Sequence, residues 1–291
     1  MKRKFLAISK VVFGLALLYL VFTHVNLRDI WGYIKIIPPH LLLLALAFAA
    51  MGQVAGAFRM RYILHESGIS LERMFSIKLT YVGGFFNVLL PGGVGGDAIK
   101  IYFLRKKTDF RVLHLVKLLV ADRASGLYFM CIIGFALLLL IRPYNDWPWL
   151  EPLTYGGFAA ATAIYFLMNH YALKVHYKVC LNAVMYSLVV QFFWVGALII
   201  LWEGIGGKTH MFEYIFLYVI ASIAATIPIS VGGLGLREFA FLFGAKFLHD
   251  HADLAVNAEL GVALSLALYA LTILSVLPGI IFWKKVKDAK I

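Results

Sequence analysis

Eight apolar stretches, most of them about as long as a bilayer crossing requires, fill the chain between Phe5 and Trp283. The longest stretch without that character is about 15 residues, which leaves no room for a separate soluble domain. Composition agrees. Hydrophobic residues are 62% of the 291 positions and charged ones only 14%, where a soluble domain carries about 25%. A soluble enzyme, a disordered chain and a fibrous repeat are thereby excluded. The expectation is an all-α polytopic membrane protein whose residues 1–291 form a single integral membrane domain.

The net charge of +12 would suit nucleic acid in a soluble protein, but in a membrane chain it reads as a positive-inside bias. Cys131 and Cys180 lie in apolar or near-membrane sequence without paired spacing, so neither a disulfide framework nor a metal site is expected. Met1-Lys2-Arg3-Lys4 and the apolar run Phe5–Phe22 resemble a signal peptide. The flank Thr23-His24-Val25-Asn26 offers no small-x-small cleavage site, so the run reads as a first transmembrane helix.

Further helices are expected over about His40–Met60, Val112–Ile141, Leu153–Met168, Val184–Trp202 and Leu254–Trp283, with an interfacial link over His24–Pro39. Two other apolar runs break at glycine. Met74–Leu90 collapses into Pro91-Gly92-Gly93-Val94-Gly95-Gly96-Asp97 before a short run, Ala98–Leu104. Phe212–Ile227 collapses into Pro228-Ile229-Ser230-Val231-Gly232-Gly233-Leu234-Gly235 before Leu236–Leu248. The breaks align: Pro91, Val94, Gly95, Gly96 and Lys100 fall on Pro228, Val231, Gly232, Gly233 and Arg237 at a gapless offset of 137 residues. That offset also brings Ala121-Asp122 onto Ala258-Glu259, and one residue more brings Gln53 onto Gln191.

This predicts an internal repeat of helix, broken re-entrant hairpin and helix. Unit one covers about 40–141, a connecting helix about 153–168 and unit two about 184–283, with about six full crossings and two hairpins. With both hairpins re-entrant, 18 of the 27 Lys and Arg fall on one side, taken as cytoplasmic with both termini, and the connecting helix inverts the second unit.

Non-helical backbone at membrane depth is tolerated only against protein or a water-filled cavity, so the breaks are expected to line a site. Glycine amides ahead of a short helix suit an anion. Lys or Arg at mid-membrane costs roughly 2.5–3.5 kcal/mol, and two at matched positions suggest a purpose. The candidate binding residues are therefore Asn87, Gly95, Gly96, Lys100, Gly232, Gly233 and Arg237. Asp97, Asp122, Arg123, Glu238 and Glu259 are candidates for gating or coupling. The alternative is that Lys100 pairs with Asp97, and Arg237 with Glu238 or Glu259, only to neutralise buried charge. Asn87, Gln53 and Gln191 are polar residues within apolar helices, a type that more often serves helix packing than ligand binding.

Other patterns lead nowhere. His249-Asp250-His251-x-Asp253 reads as a polar surface turn, and Gly207-Lys208-Thr209 lacks the leading glycine of a phosphate loop, that position being Trp202. No nucleophilic arrangement is present, so the chain leans away from an enzyme, with no metal or cofactor expected.

The breaks resemble a known family. Asn87-x-x-x-Pro91, Gly95-Gly96-Asp97-Ala98-x-Lys100-x-Tyr102, Asp122-Arg123, and Ile227-Pro228-Ile229-Ser230-x-Gly232-Gly233-Leu234-Gly235-x-Arg237-Glu238 are similar to the lysylphosphatidylglycerol synthase transmembrane-region family, also called flippase-like or UPF0104. Asp122-Arg123 stands where that family often has Glu-Arg. The resemblance covers nearly the whole chain. It implies movement of a phosphate-bearing lipid, anionic or polyprenyl-phosphate-linked, between leaflets of a prokaryotic inner membrane. The family's larger members carry a transferase domain. This chain ends at Ile291 with a short basic tail, so synthase activity is not expected of it. Two other functions are carried: a non-transporting partner of an envelope lipid- or glycan-modifying enzyme, and an ion-coupled small-anion transporter. Membrane lipids are the expected partners, and nucleic acid is not.

Overall fold

The computed structural model describes residues 2–90, 95–141, 148–227, 232–252 and 254–288, with backbone alone at 2–8 and 251–252. The centres of both glycine motifs, 91–94 and 228–231, lie outside the described residues, as do Arg142, Asp253 and Lys290. Helix makes up 86% of the structure and no strand occurs among the described residues.

The first helix, α1 (Lys2–His24), turns through 93° into α2 (Leu27–Lys35). Asn26 makes that corner, its side chain accepting from the Arg28 amide at 3.0 Å as an N-cap. This short helix lies within the stretch expected to form an interfacial link. Next come α3 (Pro39–Glu66), α4 (Arg73–Leu89), α5 (Gly95–Lys107), α6 (Val112–Ile141) and α7 (Leu150–Leu167). A wide π turn, Met168–Leu173, extends α7. It is followed by α8 (Tyr177–Gly204), α9 (Met211–Ala225), α10 (Leu236–Ala252), α11 (Ala258–Val276) and α12 (Pro278–Asp288).

Four spans are long and apolar enough to cross a membrane: α3, α6, α8, and α11 with α12. Taking α1 and α2 as one bent span gives five. The sequence reading has about six, because it includes the connecting helix. That helix, α7, is 18 residues long, but Glu151, Pro152, Thr154, Tyr155 and two glycines occupy its first half and lower its apolarity.

The two broken runs fold back as hairpins. Gly83 of α4 lies against Lys100 and Gly96 of α5, and Leu90 lies against Gly95. In the second, Ala225 of α9 meets Gly233, and Leu217 meets Gly244 of α10. The four arms have 13 to 17 residues. At 1.5 Å per residue they reach roughly 20–26 Å, short of the ~30 Å hydrocarbon core.

Around the hairpins, α3 and α8 form the central pair. Their contacts run antiparallel from Leu41 on Gly204, through Phe48 on Gly196, Gly52 on Trp194 and Arg59 on Ser187, to Tyr62 on Asn182. The contacts within α3–α6 recur within α8–α11. Helix α3 packs on α4 as α8 does on α9, and α5 on α6 as α10 does on α11. Across the halves, α6 packs on α9 and α8, as α11 does on α4 and α3. Two apolar cores result, one around α8–α11 and one around α3–α6 with the end of α12.

Candidate functional site

The first glycine break ends directly in a helix. Gly95 and Gly96 open α5, and the Gly96 amide donates to Asn87 Oδ1 of α4 at 2.8 Å. Asn87 thus closes the hairpin, using one amide that the sequence reading had offered to a ligand. The crossing is so tight that a Cβ on Gly96 would lie inside the Gly83 carbonyl, and one on Gly83 would strike the Lys100 chain. Only residues without side chains fit there.

One turn further, α5 meets a ladder of charge. Asp97 accepts from Arg123 Nε of α6 and stands 3.8 Å from Lys100 Nζ. The neighbouring Asp122 accepts from Arg59 Nε of α3 at 2.8 Å and from Arg59 Nη2 at 3.4 Å. Arg59 Nη1 then donates to Ser187 Oγ of α8 at 3.0 Å. Gly126, one turn after Asp122, makes room for that guanidinium, since a Cβ there would lie 2.8 Å from Nη1. Four helices are tied together by these bonds. Their three cations and two carboxylates leave one net positive charge.

Lys100 is the loose member. It is nine-tenths buried, at 8% exposure. Its one ion pair among the described residues, to Asp97, is too long for a hydrogen bond. Arg59 and Arg123 are engaged by carboxylates, while the ammonium keeps donors in hand.

The second break is built otherwise. Gly232, Gly233 and Gly235 have φ of +60°, +84° and +81°, a left-handed run that costs L side chains about 1–2 kcal/mol per residue. The helix starts only at Leu236, so Arg237 stands in the first turn, whereas Lys100 is a full turn inside α5. Glu238 is wholly buried. Its Oε2 accepts from the Gly235 amide at 2.7 Å, and its Oε1 accepts from Ser265 Oγ of α11 at 3.0 Å. It clasps the turn to α11. Arg237 pairs with neither Glu238 nor Glu259 among the described residues, and its buried Nε has no hydrogen-bond partner. Its neighbours are Gly233, beside the guanidinium, and Tyr218 and Tyr269, whose rings lie within its electrostatic reach.

The two breaks adjoin. Asn87 holds Gly96, and the backbone of the next residue, Val88, faces Gly232. Asn87, Gly95, Gly96, Asp97, Lys100, Asp122 and Arg123 therefore form one cluster, and Gly232, Gly233, Arg237 and Glu238 form its neighbour. Glu259 stands apart. It is the second residue of α11, in a cleft with Lys246 and His249, whereas Asp122 is eleven residues into α6. Equal offset in sequence does not give equal depth here. A carboxylate in a first helical turn is favoured by the helix dipole, and that accounts for Glu259. Of the packing candidates, Gln191 is buried and accepts from Tyr218 at 3.4 Å, and Gln53 lies beside Gly84.

Arg59, Ser187 and Ser265 join the candidate site through their hydrogen bonds and are absent from the residues expected from the sequence. Arg59 read as the charged end of a helix that in fact continues to Glu66. A signal existed in Gly126, four residues after Asp122 and on its face of α6. No cluster of metal-ligating residues occurs among the described residues.

An all-helical bundle of membrane-crossing length, with two glycine-broken hairpins meeting at buried charge, defines an integral membrane protein rather than a soluble one. The chain belongs to the family described as the lysylphosphatidylglycerol synthase TM region, which matches residues 7–176. The match takes in the first hairpin and the charge ladder and stops at the start of α8, so the second motif lies beyond it. No curated protein matches the chain. Family membership gives it a membrane role connected with lipids.

Proposed function

We propose that this protein is a flippase- or scramblase-like transporter that carries a phosphate-bearing lipid between leaflets, its headgroup passing the two hairpin tips while its tails stay in the bilayer. One observation carries this reading. Lys100 and Arg237, the cations at matched positions after the glycine breaks, both keep hydrogen-bond donors without a partner among the described residues. A structural ion pair would have consumed those donors, as it does for Arg59. Leaving a buried cation under-bonded is costly unless a ligand completes it. A phosphate supplies several acceptor oxygens and a negative charge, the complement of what both sites lack.

The wider reading is an inverted repeat, α3–α6 and α8–α11 about the α3–α8 pair, with α7 as the inverting connection. The recurring helix contacts and the antiparallel course of α3 and α8 support it. So do hairpin arms too short to cross. In this arrangement Asp97 and Arg123 would open and close as Lys100 exchanges its carboxylate for the headgroup. The charge asymmetry and the family support cytoplasmic termini and a prokaryotic inner membrane.

The test is reconstitution of the pure protein in liposomes with headgroup-labelled phosphatidylglycerol and a membrane-impermeant quencher. Loss of inner-leaflet signal faster than in empty liposomes is expected. No acceleration with phosphatidylglycerol or with a polyprenyl-phosphate lipid would overturn the reading and favour a non-transporting partner of a membrane enzyme.

A further inference from the structure

The joint between α7 and α8 holds a second feature that the hairpins do not use. The π turn Met168–Leu173 widens the end of α7, and Lys174, at φ +59°, turns the chain back so that α8 starts at Tyr177. The joint is well made. Asn169 is buried and donates from Nδ2 to the Tyr165 carbonyl at 2.9 Å, the Val175 amide donates to the Asn169 carbonyl at 2.9 Å, and Lys117 of α6 donates to the Ala172 carbonyl at 2.7 Å. The wide turn leaves a cleft of about 250 Å³ whose walls are Phe166, Leu167, Val175 and Cys180, with Tyr171, Tyr177 and His170 at its mouth. Tyr171 and Tyr177 are exposed, as aromatic residues at a membrane–water boundary are.

The charge along the joint's own sequence has one sign. His170, Lys174, His176 and Lys178 follow one another in the joint, and no Asp or Glu occurs in the sequence between Glu151 and Glu203. By contrast, the cleft at the start of α11 sets Lys246 against Glu259. An apolar slot at the start of a membrane-crossing helix, in a stretch of sequence whose charged residues are all basic, matches one occupant in both its parts.

We infer that the α7–α8 joint is a binding site for an anionic phospholipid, one acyl chain in the Phe166–Cys180 cleft and the headgroup phosphate on Lys174 and Lys178. It is separate from the hairpin tips and does not depend on the transport reading. Near a membrane surface each lysine contributes about fivefold to the binding of an anionic lipid.

Native mass spectrometry of the purified protein, titrated with phosphatidylglycerol or with phosphatidylcholine of the same chains, tests this. The wild type is expected to retain one phosphatidylglycerol in clear preference. The double variant Lys174→Gln/Lys178→Gln should bring that preference down by more than tenfold. Leu167→Trp, which fills the cleft from its exposed rim, should weaken retention of both lipids. Unfolding temperatures equal to wild type serve as the folding control for both variants, whose altered side chains are exposed. Equal retention of the two lipids by the wild type, an unchanged preference in the double lysine variant, or undiminished retention of both lipids in Leu167→Trp would overturn the inference.

Discussion

The two hairpins share a sequence motif and solve the same problem in different ways. In the first, Gly95 and Gly96 become helix, and the tip is held by side chains from three other elements: Asn87 on Gly96, Arg123 on Asp97, and Arg59 behind Asp122. In the second, the glycines stay in a left-handed turn, and one wholly buried carboxylate, Glu238, secures it to α11. One hairpin is held by a ladder of charge and the other by a single clasp. What survives the difference is a cation, Lys100 or Arg237, with donors unspent. On the proposed function, that shared feature marks a common ligand.

That contrast sets a scale of expected effects. Arg59→Ala strands Asp122 in a buried site and should be the most damaging, at about 3–5 kcal/mol, read as a lowered unfolding temperature in detergent. An unchanged unfolding temperature would mean that the ladder does not hold the first hairpin. Gly235→Ala is next, because φ of +81° disfavours any Cβ by about 1–2 kcal/mol and α1 closes on that site at Gly14. Glu238→Ala leaves the Gly235 amide and the Ser265 hydroxyl without their acceptor and should cost about 1–3 kcal/mol. Glu238→Gln keeps one acceptor oxygen and should recover part of that loss. Lys100→Ala and Arg237→Ala should change stability least, since neither breaks a hydrogen bond of the cation itself. A large loss of stability in either would return its charge to a structural role.

Much of this was open to reading from the chain. Proline and glycine punctuate a helix for reasons local to the backbone, so both breaks and the extent of α6 were legible at once. The cations after the breaks were legible because burying a charge is costly wherever it happens. Other features depend on distant partners. Arg59 and Asp122 are 63 residues apart, and Arg59 stood where a helix was expected to end. The pairing of α3 with α8 left no periodic trace, because both helices are apolar on all sides when lipid covers what protein does not. Glu259 matched Asp122 in number but fell in a first turn, since the two halves start their helices at different points along the aligned sequence.

The central claim is that Lys100 and Arg237 act together on one phosphate-bearing headgroup. It is tested most directly by running wild type, Lys100→Ala, Arg237→Ala and the double variant side by side in the liposome assay with labelled phosphatidylglycerol. The account predicts folded proteins throughout, a slowed rate in each single variant, and a double variant indistinguishable from empty liposomes. A double variant that is folded and moves lipid at the wild-type rate would contradict it.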